Sequence, residues 1–174
     1  MAVELWDAYD INRKPLGYTL IRGSQKPKFS DGEYHIVVNI FIVNTNGEIL
    51  LTQRHPDKHF PLLWECTGGS VTTGEDSLTG AMREVEEEIG LTLPPEKFKL
   101  VESVRRESDF LDTYLVITDV DIVSLTYQPE EVIGGKIVTF DEYKSMWEQA
   151  LIVPSLSYFF EIYTNNIIKG REET

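Results

Sequence analysis

Cysteine is nearly missing from this chain: Cys66 stands alone among 174 residues. A lone cysteine cannot form an internal disulfide, so nothing here calls for an oxidising compartment, and a reducing cytoplasm is the expected location. Histidine is scarce, with three residues, and His35 stands in no motif that would make it a ligand. Positive charge is in short supply: 16 Lys and Arg stand against 29 Asp and Glu, for a net charge of −13. That balance argues against a protein that grips nucleic-acid backbones, which needs a basic surface. It leaves small phosphorylated ligands open, because a divalent cation can bridge acidic protein and acidic ligand. No apolar run approaches the ~18 residues of a membrane-crossing helix. The first residues lack the basic-then-apolar pattern of a secretory signal, so neither membrane nor export is expected.

The chain has enough length for one domain with a sizeable core. At 41% hydrophobic and 26% charged residues it reads as a globular protein. A single domain over residues 1–174 is expected, with 1–33 as an N-terminal extension or hairpin. Strand signals fall at 4–10 and 17–22, followed by a polar loop over 24–33. The β-branched run 34–43 predicts a central strand. Asn44-Thr45-Asn46-Gly47 predicts a turn, and 48–53 the returning strand, ending at Gln53-Arg54. Residues 55–61 form a loop, Trp64–Thr67 a short strand, and Gly68-Gly69 a tight turn. A helix is predicted from Asp76 or Ser77 to Ile89, stopped by Gly90. Paired strands over 98–106 and 112–122, a loop over 124–131 and a strand over 132–140 with a bulge or turn at Gly134-Gly135 follow. Asp141 is expected to cap a helix to Ala150, and Pro154 to begin a last helix to Ile168. The class is α/β or α+β.

The central helix carries an unusual charge arrangement. Glu86, Glu87 and Glu88 fall in its last turn, where the helix dipole disfavours anions. Glu84 and Glu88 form a like-charge i,i+4 pair, which costs about 0.2–0.5 kcal/mol. Leu78, Ala81, Met82, Val85 and Ile89 make one apolar stripe. Glu84, Glu87 and Glu88 flank that stripe on one arc, whereas Glu86 points elsewhere. Carboxylates gathered at the edge of a core suit a hard divalent cation.

These residues belong to a longer pattern: Gly69, five spacers, Glu75, seven spacers, then Arg83-Glu84-Val85, Glu87-Glu88 and Gly90-Leu91. The pattern resembles the Nudix box without a substitution. The N-terminal Glu4–Asp10 segment resembles the branch grouped with isopentenyl-diphosphate isomerase-like members. The resemblance implies an α/β/α sandwich around a mixed β-sheet. It implies a hydrolase that cleaves a diphosphate linking a nucleoside to another moiety, with Mg²⁺ or Mn²⁺. Glu84, Glu87 and Glu88 become metal ligands and catalytic residues, with the Gly69 carbonyl beside them, and Glu84 is also placed to orient or deprotonate water. Arg83 and Glu75 become supports. The resemblance also points to Glu131 as a further acid, with Glu130 as its competitor.

Outside the box, Arg54 is a candidate phosphate contact through its planar fork, with Lys58 a weaker one, and Glu65 a residue that could face the site. Trp6, Tyr9 and Trp64 read as packing aromatics, and Cys66 as a small buried apolar residue. Two alternatives remain open. An isomerase would need a catalytic cysteine in the turn that enters the box, where this chain has Gly68-Gly69-Ser70. A non-catalytic nucleotide-binding Nudix domain would not need an intact set of glutamates. The apolar N-terminal hairpin and the aromatic last helix lead to the expectation of a homodimer.

Overall fold

A computed structural model describes residues 3–22 and 32–172. The expected loop over 24–33 lies outside the described residues, apart from positions 32 and 33. The chain folds as two compact units, the first built from Met1–Phe41, Thr67–Glu87 and Leu91–Val116, the second from Ile42–Cys66, Glu88–Gly90 and Ile117–Thr174.

In the first unit, β1 (Leu5–Tyr9) and β2 (Pro15–Ile21) pair antiparallel as a separate two-stranded sheet. Strand β3 (His35–Val43) is mostly buried. It is apolar at successive positions, the pattern of a strand covered on both faces. It pairs antiparallel with β6 (Thr67–Ser70) and neighbours β8 (Asp109–Ile117), which pairs with β7 (Phe98–Arg105). Gly68 and Gly69 are therefore strand residues opposite Asn39 and Val38, not a turn. The reason is close approach: a Cβ on Gly68 would stand 2.7 Å from the Asn39 side chain. Small residues are needed there for packing, and the backbone stays extended.

Helix α1 (Ser77–Ile89) carries the predicted stripe, with Ala81, Val85 and Ile89 fully buried. The Asp76 carboxylate accepts the Thr79 N–H at 2.7 Å and caps its start. Gly90 takes φ 68°, the left-handed conformation that ends helices.

In the second unit, the end of β3 meets β4 (Ile49–Arg54) across the predicted turn, where Gly47 has φ 85° and donates to the Asn44 carbonyl at 2.9 Å. Strand β4 pairs antiparallel with β5 (Trp64–Glu65) and β9 (Val132–Val138). Strand β9 runs unbroken. Its register shifts between Gln53 and Arg54, leaving Ile133 as the bulged residue beside Gly134. Thr139, not Asp141, caps α2 (Phe140–Glu148): its hydroxyl accepts the Glu142 N–H while Glu142 returns a bond to the Thr139 N–H. This reciprocal capping box satisfies two orphan donors, so the cap falls two residues early.

Pro154 opens only a 3-10 turn. The last helix begins later, as α3 (Phe159–Tyr163), a π-helical turn (Thr164–Ile168) and α4 (Lys169–Glu172). Phe159 and Tyr163 are buried within the second unit and Phe160 is partly so, Tyr163 stacking on Phe140 at 4.0 Å between ring centres. Sheet and helices together make an α+β fold with a mixed sheet, and among the described residues no helix is long and apolar enough to cross a membrane.

Candidate active site

Strand β6 and helix α1 bring the box together around one guanidinium. Arg83 donates through Nε to Glu75 at 2.9 Å and through Nη1 to Glu84 at 2.9 Å and Glu87 at 3.0 Å. Its Nη2 donates to the Ser70 carbonyl at 3.0 Å. A planar fork with five N–H donors can do this; a lysine cannot reach four acceptors in fixed directions. Glu75 also accepts the Thr72 N–H at 3.1 Å, which shapes the loop before α1. Burial alone would raise the Glu75 carboxyl, but the Arg83 and Thr72 hydrogen bonds outweigh it and hold it below the usual range. Burial likewise disfavours the charge on Arg83, yet the surrounding carboxylates hold its proton more tightly than usual.

Glu84 behaves differently. Burial pushes its carboxyl up, and the charges of Glu87 and Glu4 push the same way; Arg83 only partly offsets them. A desolvated carboxylate short of positive charge is a fitting donor for a cation. Gly69 lies against it: a Cβ there would stand 2.5 Å from Glu84 Cδ and 2.6 Å from Oε2. Each Arg83 bond to Glu84 and Glu87 uses one carboxylate oxygen, and each carboxylate has two. The Glu87 side chain is 50% exposed, while Glu88, next along the helix, is only 4% exposed. Among the described residues no three acidic, histidine or cysteine side chains already form a metal cage. Arg83 occupies the centre of the cluster. Even so, Glu84 and Glu87 each keep an oxygen that Arg83 does not bind, and the Gly69 backbone lies bare beside Glu84, a donor set of the kind a hard divalent ion takes.

The second unit contains a different cluster. Arg54 donates from Nη1 to Glu65 at 2.5 Å and from Nε to the His59 carbonyl at 2.7 Å. Lys58 lies 2.5 Å from Glu131 and 3.7 Å from Glu65. The predicted phosphate contact Arg54 is thus held by a carboxylate, and Glu65 is its partner. Lys58, the weaker candidate, links Glu65 to Glu131. The His55 N–H donates to the Glu131 carbonyl at 3.0 Å, fixing the end of the 124–131 loop. That loop also docks on the end of α1: the Thr126 and Gln128 N–H groups donate to the Ile89 and Glu88 carbonyls at 3.1 and 3.0 Å. These bonds satisfy carbonyls that a helix C-terminus leaves open.

Cys66 is 4% exposed. Trp64 lies under Lys136, whose ammonium is 4.3 Å from the ring centre. Trp6 stacks on His35 at 4.2 Å between ring centres. Sequence reasoning missed Asp112, which is 1% exposed and bonded to Arg13 and Ser103. The signal was there: one acid inside the apolar run of β8 must find a partner if that strand is central.

The NUDIX domain family profile matches residues 33–156. An uncharacterized Nudix hydrolase of Listeria monocytogenes is 34% identical over 160 residues, covering 91% of this chain and 91% of the relative. An isopentenyl-diphosphate Delta-isomerase of Pectobacterium atrosepticum is 30% identical over 142 residues, covering 76% and 75%. Among solved structures, DR0079 of Deinococcus radiodurans shares the fold at TM-score 0.71 and 20% identity, over 93% of this chain and 98% of that one. The chain belongs to the Nudix hydrolase family.

Proposed function

We propose that this protein is a divalent-metal-dependent hydrolase of a diphosphate that links a nucleoside to another moiety. The observation that carries the reading is the Arg83 hub, which presents Glu84 and Glu87 in fixed positions beside a bare Gly69 backbone. Mg²⁺ or Mn²⁺, when bound, would neutralise charge on the transferred phosphoryl group and lower the pKa of attacking water. Glu84, Glu87, Glu88 and the Gly69 carbonyl would hold it. Glu84 and Glu131 are the two carboxylates proposed to orient water or accept its proton. Arg54 is proposed as a phosphate contact, which requires an incoming phosphate to displace Glu65 from its fork. Glu75 and Arg83 act as supports. We place the protein in the cytoplasm, acting as a homodimer. Support for the dimer comes from β2, which exposes Leu16, Tyr18 and Ile21 on a two-stranded sheet. A monomer mass by light scattering at micromolar concentrations would remove that element.

The decisive assay is turnover of a diphosphate panel: nucleoside triphosphates, nucleotide sugars, ADP-ribose and dinucleotides, each with Mg²⁺, Mn²⁺ or excess chelator. Turnover with metal and none with chelator is expected; full activity in chelator would sink the reading.

The likeness to an isomerase supports a second reading, in which isopentenyl diphosphate is the substrate. Against it stands the position of Cys66, buried in the segment between β5 and β6. Cys66→Ala should leave hydrolysis within a few-fold of the parent, and no allylic isomer should accumulate. Loss of turnover in a folded Cys66→Ala variant would favour the isomerase.

A further inference from the structure

The N-terminal hairpin is bonded to the start of the segment that leads into α1 and to β8, the strand that bonds the segment's end, and all the groups involved lie in the first unit. At one end, the Thr73 N–H donates to the Leu5 carbonyl at 2.9 Å, and the Gly74 N–H donates to Asp7 Oδ2 at 2.9 Å. Gly74 has φ 85° with open space around it, so its glycine is required by the turn and not by crowding. At the other end, the link runs through Asp112. Arg13 donates from Nη1 to Asp112 Oδ1 at 2.8 Å, while its Nη2 takes the second carboxylate oxygen. Ser103 donates to the same Oδ1 at 2.6 Å and accepts from Arg13 at 2.9 Å. Two residues along β8 from Asp112, and on the same face of that strand, Tyr114 donates its hydroxyl to Ser77, the first residue of α1, at 2.9 Å.

The hairpin turn is built to aim Arg13. Asp10 accepts N–H bonds from Asn12 at 2.8 Å and Lys14 at 2.9 Å through its carboxylate, and from Arg13 at 2.9 Å through its carbonyl. Arg13 itself sits at φ 60°, a conformation that disfavours a long side chain. The bidentate bond to a buried carboxylate is what such a turn secures. Between Gly74 and Ser77 lie Glu75 and Asp76. Glu75 is the residue that Arg83 grips, and Asp76 caps the helix.

We propose that the N-terminal hairpin is a positioning element of the active site. Asp7, through Gly74, and Arg13, through Asp112 and the neighbouring Tyr114 of β8 that bonds Ser77, set the path of residues 73–77 and so the register in which Glu75, Arg83 and Glu84 meet. The inference rests on the Nudix hydrolase reading. Asp7 and Arg13 touch no reacting atom; they act through the loop and the start of the helix. Displacement of about 1 Å in a catalytic group can lower a rate about a hundredfold, which makes such support consequential.

The test compares the full-length chain with Asp7→Ala, Asp7→Asn, Arg13→Met and Arg13→Lys. Turnover with Mg²⁺ is measured well below each melting temperature, separating kcat from KM, alongside amide hydrogen exchange at residues 73–80. Asp7→Ala and Arg13→Met should lower kcat about tenfold or more, leave KM within about twofold, and speed exchange at Gly74 and in the first turn of α1. Asp7→Asn keeps an oxygen acceptor for the Gly74 N–H and should restore both readouts. Arg13→Lys, which cannot fork, should recover little. Unchanged kcat in Asp7→Ala and Arg13→Met, with only a lower melting temperature, would reduce the hairpin to a fold staple and overturn the proposal. If the parent hydrolyses no diphosphate with either metal, the hydrolase reading falls and the exchange data decide alone. Equal protection at Gly74 in parent and Asp7→Ala would then overturn the positioning role.

Discussion

The two charged clusters are built on opposite plans. In the first unit one arginine, Arg83, serves three carboxylates and a carbonyl that lie within residues 70–87. In the second unit two cations, Arg54 and Lys58, face two carboxylates, Glu65 and Glu131, drawn from β4, the following loop, β5 and the loop that ends just before β9. The first cluster carries excess negative charge; the second is balanced by formal count. An excess of carboxylates around one cation favours a further cation. A balanced set is satisfied as it stands, so the phosphate proposed to reach Arg54 would have to take the place of Glu65. The contrast separates a cluster with carboxylate charge to spare from one whose charges already satisfy each other.

The largest expected effect is at the centre of that contrast. Glu84→Gln keeps the shape and removes the charge. It should lower kcat about a hundredfold or more and weaken the response to Mg²⁺ in a titration of rate against metal. A normal rate in this variant would break the assignment of the first cluster as the metal site.

Next comes the hub. Arg83→Met leaves Glu75, Glu84 and Glu87 facing one another without their shared cation. Activity should fall about tenfold to a hundredfold, and stability by about 1–3 kcal/mol in urea unfolding, the scale of charged hydrogen bonds lost at a half-buried site. Lys at this position should recover little of either, since its ammonium cannot bridge four acceptors.

The balanced cluster should respond more gently and in a different parameter. Arg54→Met should raise KM about tenfold, near the value of one charge-assisted hydrogen bond of about 1.5 kcal/mol, with kcat less affected. If kcat falls and KM holds, the second cluster acts on chemistry and the contrast between the two collapses.

The smallest effect concerns acid stability in the first unit. Burial raises the Asp112 carboxyl, but Arg13, Ser103 and Ser77 outweigh it and hold it below its ordinary value of 3.8. A carboxyl depressed in the folded state contributes stability above its unfolded pKa and loses it as pH falls through the folded value. The difference in melting temperature between parent and Asp112→Asn should therefore be full at neutral pH and shrink as pH drops below about 3.8. A constant difference across that range would show that the fold does not hold the Asp112 carboxyl below its ordinary value.

Much of this protein was legible because it is local. The spacing of Ala81, Val85 and Ile89 placed α1 and its buried face, and the same helix arithmetic put Glu84 and Glu87 on one side, where both meet Arg83. Asn-Gly at 46–47 and Gly90 marked a turn and a helix end through their backbone freedom. Where local signals competed, reading them singly failed. Thr139 and Asp141 both resemble caps, and the reciprocal bond with Glu142 chose the first. Gly68-Gly69 looks like a turn until the neighbouring Asn39 and Glu84 side chains show why no Cβ fits in a strand there.

By itself the sequence determined the acidic helix, its apolar stripe, the central strands and the kinship with Nudix hydrolases, since each is written in residues a few positions apart and backbone geometry converts that spacing into faces. Tertiary structure alone decided the rest. It paired Arg54 with Glu65, tied Lys58 to Glu131, and sent Arg13 across the chain to a buried Asp112. A buried charge must find a partner, but the sequence does not say which of many opposite charges the fold will bring within reach, because that choice depends on strand order and loop path.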